Sequence, residues 1–260
     1  MFLGLIPYSK LIFLCCAVFL AGFIDSIAGG GGVISIPAYL LSGLDPKVAF
    51  GCSKTSSCLG TTLAAGRYIR NGAVNWTVAV PSAIGALVGA RIASLVVLAL
   101  DPVVFQKIIL FVLPFVAVFL IFKRDFGERN TSGEVPKGKM IAIASVIGVL
   151  IAFYDGLVGP GTGTFAIIAF CSLCKLDLKT ASGSAKVFNW ASNFASMVSF
   201  LLAGKVIWAM ALTTAVCSMA GNFVGSGMAI KKNPAFIRVM LTIVCALLLL
   251  KLGYDVLIAG

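Results

Sequence analysis

Five ionisable side chains stand inside otherwise apolar stretches of this chain: Asp25, Lys54, Arg91, Asp155 and Lys186. A charge in the middle of an apolar span costs about 2.5–3.5 kcal/mol on membrane-insertion scales. Each therefore needs a counter-charge, a polar cavity or a ligand. The lysines have company. Lys186, Asn189 and Asn193 are spaced i, i+3, i+7 and share one helix face, and Lys54, Ser57 and Thr61 repeat that spacing earlier in the chain. A stripe of ammonium, amide and hydroxyl groups turns away from lipid and toward a polar space. The aspartates have company too. Asp25 stands just before the run Gly29–Gly32, and Asp155 just before Gly159, Gly161 and Gly163. Glycine leaves the backbone bare, and the short helix that follows presents unpaired, partly positive N–H groups. Two helix N-termini and two ammonium groups suit an oxygen-rich anion. The candidate binding set is therefore Lys54, Lys186, Ser57, Thr61, Asn189 and Asn193, with Gly30, Gly31, Gly32, Gly161, Thr162 and Gly163 from the links. Asp25, Asp155 and Arg91 are candidates for ion pairing or coupling. The aspartates suit capping, lysine pairing or, in a chain without histidine, proton carriage.

These residues must be positioned by helices. The 260 residues are 60% hydrophobic and 11% charged, with a mean hydropathy of +1.08; an ordinary soluble domain is about 25% charged. Apolar windows of about 20 residues recur throughout, without strand alternation, so the expectation is an all-α polytopic membrane protein. The segments fall at 3–27, 32–43, 48–70, 75–98 and 103–122, and again at 139–156, 163–174, 182–203, 207–230 and 236–258. The first reads as a retained helix, since Met1–Gly22 runs straight into the first motif. Segments 32–43 and 163–174 reach only about 18 Å as helices, against a hydrocarbon core of about 30 Å. They read as broken or re-entrant pieces, with the glycine runs as non-helical links at membrane depth.

Five segments on each side of a polar loop form a repeat. At an offset of 130, Phe23, Asp25, Gly29 and Gly31 match Phe153, Asp155, Gly159 and Gly161. At an offset of 132, Leu44, Asp45, Lys47, Ala49, Gly51 and Lys54 match Leu176, Asp177, Lys179, Ala181, Gly183 and Lys186, and the register runs on through Gly72/Gly204, Trp76/Trp208 and Gly89/Gly221. An odd segment count turns the second repeat (139–260) upside down relative to the first (1–122), with 123–138 as the linker. Placing the linker in the cytoplasm puts twelve basic residues inside: Lys123, Arg124, Arg129, Lys137, Lys139, Arg67, Arg70, Lys175, Lys179, Lys231, Lys232 and Arg238. Five fall outside, namely Lys10, Lys47, Lys107, Lys205 and Lys251. This agrees with the positive-inside rule and sets both termini outside an inner (plasma) membrane. Trp76 and Trp208 suit interfacial anchors on opposite faces.

Other classes fit poorly. The net charge of +11 is spread over short loops and forms no stripe for nucleic acid. The eight cysteines sit in apolar segments, where small buried packing residues are expected, and with no histidine the Cys171–Cys174 pair is a poor zinc site. No cofactor or metal is called for. A lysine nucleophile would need an activating base and an oxyanion hole that the motifs do not supply, so an enzyme is not expected.

The pattern resembles the TauE/SafE family of membrane transporters. The resemblance rests on the acid, the AGGGG run and Pro37, then the helix with Lys54 and the Gly72–Trp76 turn. In the second half it rests on Gly159-Pro160-Gly161-Thr162-Gly163 and the helix with Lys186 and Asn189. It covers roughly residues 10–255. It implies a secondary transporter of small sulfur-containing oxyanions, sulfite or organosulfonates, with export by alternating access expected. Uptake of sulfonate or carboxylate anions is the alternative, and an anion channel a more distant one. The expected site holds the anion between Lys54 and Lys186.

Overall fold

The computed structural model describes residues 6–105, 130–232, 236–237 and 239–240. Among the described residues all regular structure is helical. The first half supplies α1 (Tyr8–Ala28), α2 (Gly32–Leu41), α3 (Pro46–Arg70) and α4 (Trp76–Ala99); after a short 3₁₀ turn at Ser132–Glu134, the second supplies α5 (Lys137–Leu157), α6 (Thr162–Leu173), α7 (Leu178–Leu202) and α8 (Trp208–Lys231). Most of the expected segments 236–258 and 103–122 lie outside the described residues. So do Lys107, Lys123, Arg124, Arg129, Arg238 and Lys251 of the charge tally.

The two halves start and stop their helices alike. Asp45 caps α3 by accepting from the backbone N–H groups of Lys47 and Val48 (3.0 and 3.3 Å). Its counterpart Asp177 caps α7 by accepting from Thr180 N–H at 3.0 Å. Such a cap is worth about 1 kcal/mol. Both helices end at a glycine in the left-handed region, Gly72 at φ 65° and Gly204 at φ 67°, a conformation that costs glycine little. Trp76 and Trp208 then open α4 and α8, each more than half exposed.

Packing is exchanged between the halves. Helix α1 lies on α8, and its counterpart α5 lies on α4. Helix α3 packs on α8 and α7 on α4, and α3 and α7 pack on each other. The close approaches use small residues: Gly221 and Gly225 of α8 lie on the backbone of Phe19 and Phe23, and Gly85 and Gly89 of α4 on that of Ser145 and Val149. The α3–α7 pair is antiparallel. Gly51, early in α3, abuts the carbonyl of Lys205 just beyond the end of α7, and Gly183, early in α7, abuts the carbonyl of Ala73 just beyond the end of α3. These two contacts are register mates.

Helices α1, α4 and α5 are long and apolar enough to cross a membrane by length and composition. Helices α3 and α7 are equally long, at 25 residues each, but carry the polar stripes. Helices α2 and α6 have 10 and 12 residues, so they rise about 15 and 18 Å. Large apolar side chains such as Ile12, Ile84, Leu150 and Val216 are exposed on the outer helix faces, as a lipid-facing surface requires. Polar groups face inward: Lys54, Lys186, Asp155, Asn189 and Asn193 are all buried.

Candidate functional site

The glycine links meet at the centre. Helix α1 stops at Gly29 (φ 78°), whose N–H donates to Asp25 O at 2.8 Å. The carbonyl of Gly29 then accepts from Gly163 N–H at 3.0 Å, and that of Ala28 from Thr164 Oγ1 at 2.7 Å. A Cβ at Gly29 would run into the backbone of Gly163 and Thr164, and one at Gly163 into that of Gly29. The absence of a side chain therefore lets the two links cross in contact. It also corrects an expectation. The N-terminus of α6 is not fully bare: Gly163 N–H is taken by the carbonyl of Gly29.

Around this crossing the four acidic and basic side chains pair across the halves. Lys54 Nζ of α3 lies 2.7 Å from Asp155 Oδ2 of α5. Lys186 Nζ of α7 lies 2.8 Å from Asp25 Oδ2 of α1 and also donates to Asp25 O. Each lysine thus meets the aspartate of the other repeat. The reason is electrostatic: an ammonium group in a dry interior must find an anion, and a lone one would be far more costly. Lys54 also lies over the Phe50 ring, 5.2 Å from its centroid.

The two pairs differ in their surroundings. Asp155 is 3% exposed: besides Lys54, it accepts from Ser192 Oγ at 2.5 Å and lies 2.9 Å from Thr162 Oγ1, whose one proton it shares with the Gly159 carbonyl. The Asp25 side chain keeps 17% of its surface, while that of Lys186 keeps none. Beside Lys186, Asp25 receives only a long contact from Asn189 Nδ2 at 3.4 Å, on the same oxygen. Asn193 holds Asn189 in place by donating to its Oδ1 at 3.1 Å.

A cavity opens beside these pairs, with about 40 Å³ of room for water-sized centres. Lys54, Ser57, Thr61, Asn189 and Asn193 line it, as do both aspartates. Gly31, Gly32, Thr162 and Gly163 also reach its wall. Four expected residues stand elsewhere. Lys186 is sealed behind Asp25 and is not on the wall. Gly30 and Gly161 lie behind their neighbours in the links. Arg91 forms no ion pair among the described residues; its Nη1 donates to Ser199 Oγ at 2.8 Å, between α4 and α7. No acid faces that part of α4, so a hydroxyl serves instead. Thr162 lines the cavity, and its hydroxyl is shared between Asp155 Oδ1 at 2.9 Å and the Gly159 carbonyl at 2.7 Å.

The structure also adds residues. Ser218 and Asn222 of α8 close the cavity opposite the stripes. Asn222 Nδ2 donates to Ser218 O at 3.0 Å, which leaves its Oδ1 buried without a partner among the described residues, as is Thr61 Oγ1. Buried polar atoms are nearly always satisfied, so two orphans on one cavity mark a place for a guest or for water. Ser218 and Asn222 are an i, i+4 polar pair in an apolar helix. That spacing was visible in the sequence but has no match in the first half, where the same register gives Ala86 and Ala90.

An apolar helical bundle with charged pairs around a water-sized central space defines the class: a multi-pass membrane transporter. Comparison with known proteins agrees. The family model described as sulfite exporter TauE/SafE matches residues 14–252. A probable membrane transporter protein of Haemophilus influenzae is 31% identical over 96% of this chain and 97% of its own length. A second of that name, ORF9 from a Sinorhizobium species, is 34% identical over 96% and 95%. The probable membrane transporter YfcA of Escherichia coli K12 is 33% identical over 91% and 87%. No solved structure matches. The chain belongs to the TauE/SafE family.

Proposed function

We propose that this transporter is a secondary carrier of small sulfur-containing oxyanions, sulfite first among them, working by alternating access in the inner membrane with export as its direction. The observation that carries the reading is the cavity. It lies where both glycine links and both lysine–aspartate pairs converge, and two of its polar groups lack partners. Its small size, about 40 Å³, suits a small anion better than a long organic sulfonate. Lys54 supplies positive charge at its wall, Thr61 and Asn189 supply donors, Asn193 holds Asn189 in place, and Lys186 acts from behind Asp25.

The carrier is built on two inverted repeats, 1–122 and 139–260, with 123–138 as the cytoplasmic linker and both termini outside. The antiparallel α3–α7 pair and its exchanged contacts support this arrangement. The same contacts name the moving parts. One body is α1 with α8 and the other α4 with α5, and they share the α3–α7 pair. Rocking one against the other about the Gly29–Gly163 crossing would open the cavity to alternate sides.

The test is counterflow. Purified protein in liposomes loaded with unlabelled sulfite should accumulate labelled sulfite saturably, and sulfate, thiosulfate, taurine and acetate as competitors would rank the substrates. Flux that is linear in concentration and insensitive to trans sulfite would overturn the carrier; no flux or competition with any sulfur oxyanion would overturn the substrate class.

A further inference from the structure

Resting on the anion reading above, we infer that the cavity takes its anion together with a proton, and that Asp25 is the group that holds the proton. The argument begins with charge. Asp25, Lys54 and Asp155 are the charged residues on the cavity wall, and Lys186 stands directly behind Asp25. Their formal charges cancel. A monoanion entering this space leaves an unbalanced negative charge in a poorly solvated site, next to a carboxylate that repels it. One proton taken from bulk water onto a carboxylate restores the balance.

The geometry selects the carboxylate. Protonating Asp155 would disturb the Lys54 ammonium and the Ser192 hydroxyl, and the Thr162 hydroxyl that it shares with the Gly159 carbonyl. Asp25 Oδ1 has no hydrogen-bond partner among the described residues, and Asp25 faces the cavity. The repeat shows the same asymmetry from an independent side. In the registers that match Asp25 to Asp155 and Lys54 to Lys186, the positions of Thr162 and Ser192 are taken in the first half by Gly32 and Gly60. The hydroxyls that lock one carboxylate are missing around the other.

The neighbours allow the change. Lys186 keeps a bond to the backbone carbonyl of Asp25 when the side chain is protonated, so the ammonium group is not stranded. From α3, Asp25 is faced by Lys54 and by Tyr68, whose hydroxyl donates to Ser26 O at 3.0 Å. From α5 it is faced across the cavity by Asp155. Helices α2, α6 and α8 bring only uncharged groups to the cavity: Ser35, Thr162, Ser218 and Asn222. With Asp25 protonated, two ammonium groups face one remaining carboxylate, and the space becomes attractive to an anion.

The experiment is calorimetry of the purified full chain with sulfite and with methanesulfonate, in two buffers of different ionisation enthalpy. Methanesulfonate carries no titratable proton in the working range, so its count belongs to the protein alone and the sulfite count is read against it. Wild-type protein should take up about one proton per anion, and methanesulfonate affinity should fall as pH rises. Asp25→Asn should bind with no net proton uptake and a flat pH profile. The wild-type measurement stands alone if that variant does not fold. Anion binding without buffer dependence overturns the proton assignment and leaves the anion site intact. No binding of either anion overturns the anion reading, and this inference with it.

Discussion

The Lys54–Asp155 pair offers the sharpest test of the geometry. Replacing Lys54 with methionine keeps most of the stem and removes the ammonium group. Asp155, with 4% of its side chain exposed, would then keep only the hydroxyls of Thr162 and Ser192 against its charge. Breaking a buried pair from one side costs about 3–5 kcal/mol, because the other charge is left uncompensated. For a chain of this size each kcal/mol lowers the melting temperature by about 2–4 °C, so K54M should melt roughly 6–20 °C lower. Asp155→Asn should do similar harm by stranding Lys54. The double variant K54M/D155N removes both charges, and replacing a whole buried pair is often close to neutral, so it should recover to within about 1 kcal/mol of wild type. The coupling energy of the cycle is then at least about 5 kcal/mol, two single losses of about 3 or more less a residual of about 1. The assay is thermal unfolding in detergent with all four proteins purified alike, followed by sulfite counterflow. The recovered double variant should be folded yet transport-dead, because the cavity has lost the ammonium on its wall. Additive losses, or single variants as stable as wild type, would refute the pairing; a double variant that transports normally would refute a role for Lys54 in the site.

Thr61→Val removes a hydroxyl that makes no bond within the described protein, so stability should change by less than about 0.5 kcal/mol while sulfite affinity falls roughly tenfold or more, the worth of a hydrogen bond to a charged group; unchanged KM and Kd would remove Thr61 from the site. Gly29→Ala puts a methyl group into the Gly163 backbone at a left-handed φ and should cost about 2–4 kcal/mol from overpacking and strain. Gly66→Ala, with open space around it inside α3, should instead gain up to about 1 kcal/mol. Equal melting temperatures for these two variants would contradict the crossing of the links. In a cysteine-depleted background, single cysteines at the register mates Asn71 and Ala203 should label from opposite sides of the membrane with an impermeant maleimide, and labelling of both from one side would break the inverted topology.

The sequence by itself determined a good deal. Its apolar content dictates helices, since a backbone in lipid has no other local way to satisfy its amides. The duplicated Asp–Gly–Lys order located both breaks, and α2 and α6 begin within a residue of where the short apolar segments begin. The stripe Lys54–Ser57–Thr61 and its counterpart in α7 were legible as inward faces because helical spacing maps directly onto space. So was membership of a transporter family, from motifs that span the chain.

What each charge does was decided only by tertiary structure. Sequence spacing gives the face on which Lys186 stands, not what it meets there. It meets Asp25, 161 positions away, and is sealed behind it, while its repeat mate Lys54 remains on the cavity wall. The bareness of the glycine amides was likewise undecidable locally, because the group that takes Gly163 N–H is the carbonyl of Gly29 in the other half. Ser218 and Asn222 carry a polar i, i+4 spacing that could equally have been a packing detail until α8 was laid against α1. Local patterns fix which groups turn inward. Which ones pair and which stay open depends on distances between segments far apart in the chain, and at an interior site those distances determine where the charge goes.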